Sequence, residues 1–262
     1  DLRIVDATWH LPELKRDARA EFAERHIPGA VHLDIDDVAD PDHELGHMLP
    51  DAEIFARKVG ALGLGNENRI VVYDTRGLYS AARVWWMFRI YGHDNVRILD
   101  GGFVKWLAEG HEVESGEARP QPTTFKPAAA RRDLVRLAED VLGNIDSRRE
   151  QVVDARTPGR YAGTESDPYP GVRAGRIPGS VNVYWADLLD AKTKTFLPPK
   201  QIAEKFHAAG VDLEKPLTLS CGSGVTACIL AAGLNLVGKD DWAVYDGSWD
   251  EWGRRHDLPI ES

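Results

Sequence analysis

The chain of 262 residues has only two cysteines, Cys221 and Cys228, and they lie in one short segment. That scarcity argues against a disulfide framework and makes a reducing cytoplasm the expected compartment. No apolar run near a terminus is long or unbroken enough for a signal peptide or a membrane span, so no membrane partner is expected. Basic residues are in deficit: 32 Lys and Arg stand against 42 Asp and Glu, a formal net charge of −10. Nucleic acids and anionic membranes recruit cationic surfaces, so nucleic acid is not an expected partner either. What remains is an acidic globular chain, 43% hydrophobic, long enough for two ordinary domains.

One order of features occurs twice along it. A strand ending in aspartate, Ile4-Val5-Asp6, is answered by Val152-Val153-Asp154. His26-Ile-Pro-Gly is answered by Arg176-Ile-Pro-Gly, 150 residues on, and Asp100-Gly-Gly-Phe by Asp246-Gly-Ser-Trp, 146 residues on. A period this long with so little drift is a domain duplication, not a solenoid. Within each copy, short β-branched runs alternate with helical patterns, which predicts an α/β fold: two tandem domains, each a parallel sheet with helices on both faces. Glu114 to Arg132 holds three prolines and three consecutive alanines and reads as an extended linker. The expected division is residues 1–115, a linker over 116–132, and a second domain over 133–262.

The copies differ at one strand-to-loop corner. The first carries Asp74; the second carries Cys221, followed by Gly222-Ser223-Gly224-Val225-Thr226 and an apolar helix. In an open parallel sheet, ligands bind beyond the carboxyl ends of the strands. Two glycines let this loop curl so that its N–H groups point inward, and a helix begins where the loop ends. Such a nest favours an anion, and therefore a thiolate at its centre. A lone cysteine is more often a buried small hydrophobe, and that is the reading kept for Cys228 in its Ala-rich helix. At Cys221 the glycine-rich context points to a nucleophile.

The whole chain resembles the tandem-domain rhodanese family. The loop Cys221-Gly-Ser-Gly-Val-Thr-Ala-Cys228 resembles its 3-mercaptopyruvate sulfurtransferase branch; the thiosulfate branch typically carries an Arg-Lys pair where Gly222-Ser223 stands. Leu78-Tyr-Ser-Ala-Ala-Arg-Val-Trp-Trp-Met-Phe88, His47-Met-Leu-Pro50 and Tyr245-Asp-Gly-Ser-Trp-Asp-Glu-Trp252 add matches in both halves. The resemblance implies sulfur transfer from 3-mercaptopyruvate to Cys221, then to a thiol acceptor such as thioredoxin or to cyanide, with no metal or organic cofactor. It implies a proton relay of Ser223, His47 and Asp36, and the loop residues Gly222, Gly224, Val225 and Thr226 around the donor. It implies Arg160 as a partner for the donor's carboxylate. A second arginine of the family falls at Tyr169 here, leaving Tyr169 or Arg173 to take its part. Thiosulfate:cyanide sulfurtransferase is the alternative activity, and a non-catalytic rhodanese-like binding module the alternative of another class.

Other signals are set aside. His43-Glu-Leu-Gly-His47 matches a zinc-protease pattern that works only on a helix, and Pro41, Gly46 and Pro50 argue for a loop. Gly233 to Lys239 resembles a phosphate loop but follows a helix and ends in Asp240. Related phosphatases need an arginine where Ala227 stands. The eight tryptophans read as packing residues.

Overall fold

The computed structural model describes all residues from Asp1 to Ser262. It divides into two compact units: Asp1–Arg131 with Ala191–Thr195, and Arg132–Asp190 with Phe196–Ser262. The first unit is built on β1 (Leu2–Asp6), β2 (Ala30–His32), β3 (Arg69–Tyr73) and β4 (Val96–Ile98). All pair in parallel in the order β2-β1-β3-β4, with Val5 opposite both Val31 and Val72. Its helices are α1 (Ala18–Glu24), α2 (Ile35–Val38), α3 (Ala52–Ala61), α4 (Ala81–Ile90) and α5 (Gly102–Ala108). Side chains start some of them: Asp17 accepts from the amide of Ala20, and Asp51 from that of Ile54 at 2.7 Å, each satisfying an orphan first-turn donor.

The second unit repeats the plan with β5 (Val135–Arg136), β6 (Gln151–Asp154), β7 (Val181–Asn182), β8 (Leu217–Ser220) and β9 (Trp242–Tyr245). The order is β5-β9-β8-β6-β7, again parallel throughout. Helices α6 (Ala138–Ser147), α7 (Pro158–Tyr161), α8 (Pro199–Ala208), α9 (Ala227–Val237) and α10 (Ser248–Arg254) flank it. Every residue of β8 is buried although Leu217 and Leu219 alternate with Thr218 and Ser220; the Thr218 hydroxyl is satisfied by donating to Glu150. Helix α9 is buried from Ala227 to Leu234, so it is apolar around its circumference. Cys228 is fully buried there, its thiol turned to the carbonyl of Gly224 at 3.3 Å. Trp86, Trp249 and Trp252 are fully buried packing residues.

The expected linker behaves differently from its composition. Glu114 pairs with His26, and the amides of Thr123, Ala128 and Arg131 donate to the carbonyls of Gly60, Tyr91 and Ile90. Phe125 is buried between Phe55 and Phe88. The backbone can lie this close because Gly60 has no side chain: a Cβ there would stand 2.6 Å from the carbonyl oxygen of Thr123. Prolines keep the segment extended, but one aromatic anchor docks it on the first unit.

His93 packs against Phe88 and Phe125. Burial holds its imidazole below the ordinary value, against hydrogen bonds to the backbone of Asn95 and Asn68. The unfolded chain takes up this proton near pH 6.5, the folded chain only lower. The contribution of His93 to stability is therefore complete above about pH 6.5 and is lost as pH falls from there through the folded pKa. Denaturant titrations from pH 7 to 5 should show stability falling by up to about 1.4 kcal/mol per pH unit from this one proton. His93→Gln should flatten that part of the slope; an unchanged slope would place the acid sensitivity elsewhere.

Candidate active site

Strand β8 delivers Cys221 to the carboxyl end of the second sheet, where the chain turns through Gly222 to Thr226 into α9. The turn needs glycine at one place: Gly224 has φ +73°, a left-handed conformation that other residues resist. Two hydrogen bonds lash the loop to the start of α10, from the amide of Trp249 to the carbonyl of Cys221 and from that of Asp250 to Gly222, the latter at 2.7 Å. Cys221 is 1% exposed and Ser223 6%; Val225 and Thr226 are buried with them. A shielded thiol beside a glycine-bearing curl is a place where a reactive sulfur can be held out of water.

Ser248 completes the setting. The amide of Cys221 donates to its Oγ at 3.1 Å, while that hydroxyl donates to the carbonyl of Tyr245 at 2.8 Å and lies 4.0 Å from the Cys221 sulfur. Ser248 achieves this with φ +50°, a strained conformation for a residue with a Cβ. Its counterpart in the first unit is Gly102, at φ +54°, where no such strain arises.

The segment between β6 and β7 carries Arg160, Tyr169 and Arg173 of the expected substrate-binding residues. Arg156, 3% exposed, ion-pairs with Asp154 and with Asp167, each at 2.9 Å, and lies over the ring of Trp249. Arg254 donates to the carbonyl of Pro170 at 2.8 Å. Between these two anchors, the hydroxyl of Tyr169 donates to Ser223 Oγ at 2.7 Å. Arg160 lies on α7 with its Nε 3.5 Å from Glu165 Oε1, partly exposed and able to meet an anion. Arg173 is different, and the expectation that it reaches toward substrate is corrected here. Its Nε and Nη2 donate to the carbonyls of Gly253, Trp252, Arg255 and Leu258. Those bonds satisfy carbonyls at and beyond the end of α10, a structural post.

In the first unit the equivalent corner is filled by its own side chain. The carboxyl of Asp74 accepts from the amides of Arg76, Ser80 and Ala81 at 2.8–2.9 Å. Burial nevertheless pushes its pKa above the ordinary carboxylate range. Three amides thus gather around the fully buried carboxyl of Asp74.

His47 and Asp36 meet in the same unit. His47 Nδ1 lies 2.6 Å from Asp36 Oδ1, and the indole of Trp9 donates to Asp36 Oδ2 at 2.7 Å. Trp9 also stands edge-on to the imidazole. Burial would raise the Asp36 pKa, but the hydrogen bond and charge of His47, with the Trp9 indole, outweigh it and leave the carboxyl below its ordinary value. The carboxylate is therefore ionised at neutral pH and orients the imidazole. His47 sits in a loop at φ +67°, its carbonyl held by the buried guanidinium of Arg83. Loop geometry denies His43 and His47 a shared helical face, as the prolines suggest.

One family model, the rhodanese-like domain, matches the chain twice, over residues 4–109 and 137–255. The chain belongs to the rhodanese family. Human 3-mercaptopyruvate sulfurtransferase is 48% identical to this rhodanese over 256 residues, 97% of the chain and 86% of the human protein. Bovine thiosulfate sulfurtransferase is 46% identical over 259 residues, with 97% and 86% covered. The Escherichia coli 3-mercaptopyruvate sulfotransferase SseA superposes with a TM-score of 0.85 at 34% identity, covering 95% of this chain and 92% of its own. Yeast Tum1 gives a TM-score of 0.89 at 28% identity, with 96% and 88% covered.

The sequence alone gives no role to Trp9 or to Ser248 of this rhodanese, although Ser248 lies in the Tyr245–Trp252 motif. Trp9 holds Asp36 from 27 positions away, and no local pattern announces it. Ser248 did leave a signal: Asp246-Gly-Ser-Trp carries serine where Asp100-Gly-Gly-Phe of the first copy has glycine.

Proposed function

We propose that this rhodanese is a 3-mercaptopyruvate sulfurtransferase acting through a Cys221 persulfide. The observation that carries the reading is the uncharged pair Gly222-Ser223 next to a shielded cysteine at the carboxyl end of β8. A dianion such as thiosulfate profits from fixed cations at those positions; a thiol donor with one carboxylate does not need them. The identity shared with the human and bacterial 3-mercaptopyruvate enzymes supports the same choice.

In the first half-reaction the Cys221 thiolate attacks the donor's sulfur and a sulfur–sulfur bond forms. The carbon–sulfur bond breaks, its electron pair passes into the ketone as the pyruvate enolate, and the donor's thiol proton ends on the pyruvate methyl. In the second, cyanide or a thiol such as reduced thioredoxin takes the outer sulfur and restores the thiolate. Ser223, His47 and Asp36 are the proposed proton-handling groups, and Arg160 the proposed partner of the donor carboxylate. Gly222, Gly224, Val225 and Thr226 shape the loop around the transferred sulfur. No step requires a metal or organic cofactor, and the low cysteine count makes the cytoplasm the proposed compartment.

The test compares donors. Pyruvate release from 3-mercaptopyruvate should exceed thiocyanate formation from thiosulfate by at least about tenfold in kcat/KM, the scale of one good charge-assisted contact. Equal efficiency with both donors would overturn the argument from the uncharged loop.

A further inference from the structure

Gly222 is a glycine without a backbone reason. Unlike Gly224, it does not have a positive φ, so any L-residue fits its main chain. Space is the constraint, because a Cβ at this position would stand 3.2 Å from Cε2 and 3.7 Å from the hydroxyl oxygen of Tyr169. The ring is not easily displaced: Asp167 is tied down by Arg156 on one side and Pro170 by Arg254 on the other. The same tyrosine donates its hydroxyl proton to Ser223. A phenol is a stronger hydrogen-bond donor than an aliphatic alcohol, so this direction is the favoured one. A serine oxygen that accepts in this way keeps its own proton for donation to a ligand.

We propose that Tyr169 is the positioning residue of the Cys221 loop, fixing Ser223 as a donor toward the incoming sulfur compound and roofing Gly222 so that the loop stays bare there. This rests on the reading of that loop as the sulfur-accepting site. It makes residues 169 and 222 one unit of specificity: a bulky or charged side chain at 222 is incompatible with this tyrosine and becomes tolerable only when the ring is removed.

Two measurements test it. In single-turnover assays, Tyr169→Phe keeps the roof and loses the hydrogen bond. Pyruvate release should slow about tenfold, the usual scale for one hydrogen bond to a reacting group, with the loss in kcat and not in KM. Discharge of a preformed persulfide to cyanide should stay within about twofold. No change, or an equal loss in both halves, would overturn the orienting role.

The second measurement is a double-mutant cycle of Gly222→Val with Tyr169→Ala. Gly222→Val alone should cost about a hundredfold in Cys221 reactivity; in the Tyr169→Ala background it should cost only a few-fold more. Additive losses would overturn the roofing role. The cycle is also read with dithiodipyridine, a neutral disulfide that reports Cys221 reactivity by peptide mass without a natural donor. A wild type inert to mercaptopyruvate would sink the functional reading while this probe still decides on Tyr169. The phenylalanine arm stands whether or not the alanine variant folds.

Discussion

Cys221→Ser should abolish sulfur transfer from every donor while leaving the fold intact. A serine hydroxyl fits the space of a thiol that is 1% exposed, and the amide bond from residue 221 to Ser248 does not involve the replaced atom. The structural cost is therefore within about 1 kcal/mol. The chemical cost is complete, because an alkoxide in the same curl neither forms at neutral pH nor bonds a transferable sulfur. Mass spectrometry after donor treatment should find one added sulfur on the wild type and none on the variant. A persulfide on Cys228 would sink the assignment. Cys228 is fully buried with its thiol on the Gly224 carbonyl, a packing role that predicts it stays unmodified.

His47→Ala should slow pyruvate release about a hundredfold, the scale of help from a positioned acid–base group. Persulfide discharge to cyanide should change far less, since only the first half-reaction moves a donor proton. Asp36 supplies the reason to expect an effect of that size. Its carboxylate is ionised at neutral pH and held by two donors, so the imidazole at 2.6 Å has one preferred orientation. Trp9→Phe should reproduce part of the loss by removing the indole bond and leaving the ring contact. Stopped-flow measurement of the two half-reactions separates these outcomes. Unchanged pyruvate release in His47→Ala would make His47 structural, a loop residue at positive φ whose carbonyl is held by Arg83.

Much of the architecture is legible in the chain because it is local. Strand runs such as Leu217 to Ser220, the Ile-Pro-Gly turns and the glycines before helices are each a property of a few adjacent residues. Their repetition then multiplies a weak local signal into a duplicated fold. Composition was less informative over Glu114 to Arg132, where prolines suggest an extended linker and the buried ring of Phe125 docks the segment. A single anchor contributes a large apolar area, and nothing in a proline-rich stretch announces that a partner face awaits it.

The amino-acid sequence by itself determined the two-copy α/β plan and the position of Cys221 at a corner where the first copy has Asp74, and its motifs carried the resemblance to the family. These follow from periodicity and from the order of residues along the chain, and they survive without coordinates. Tertiary structure alone decided what each long side chain is used for. Arg173 and Arg160 look alike in sequence, yet one is spent on four carbonyls near the end of α10 while the other keeps a partly exposed cation beside Glu165. Tyr169 meets Ser223 from 54 positions away, and Ser248 meets Cys221 from 27. The physical reason is reach: a turn or a strand is settled by neighbouring torsion angles, whereas a hydrogen bond between distant segments exists only once the sheet has brought their loops together.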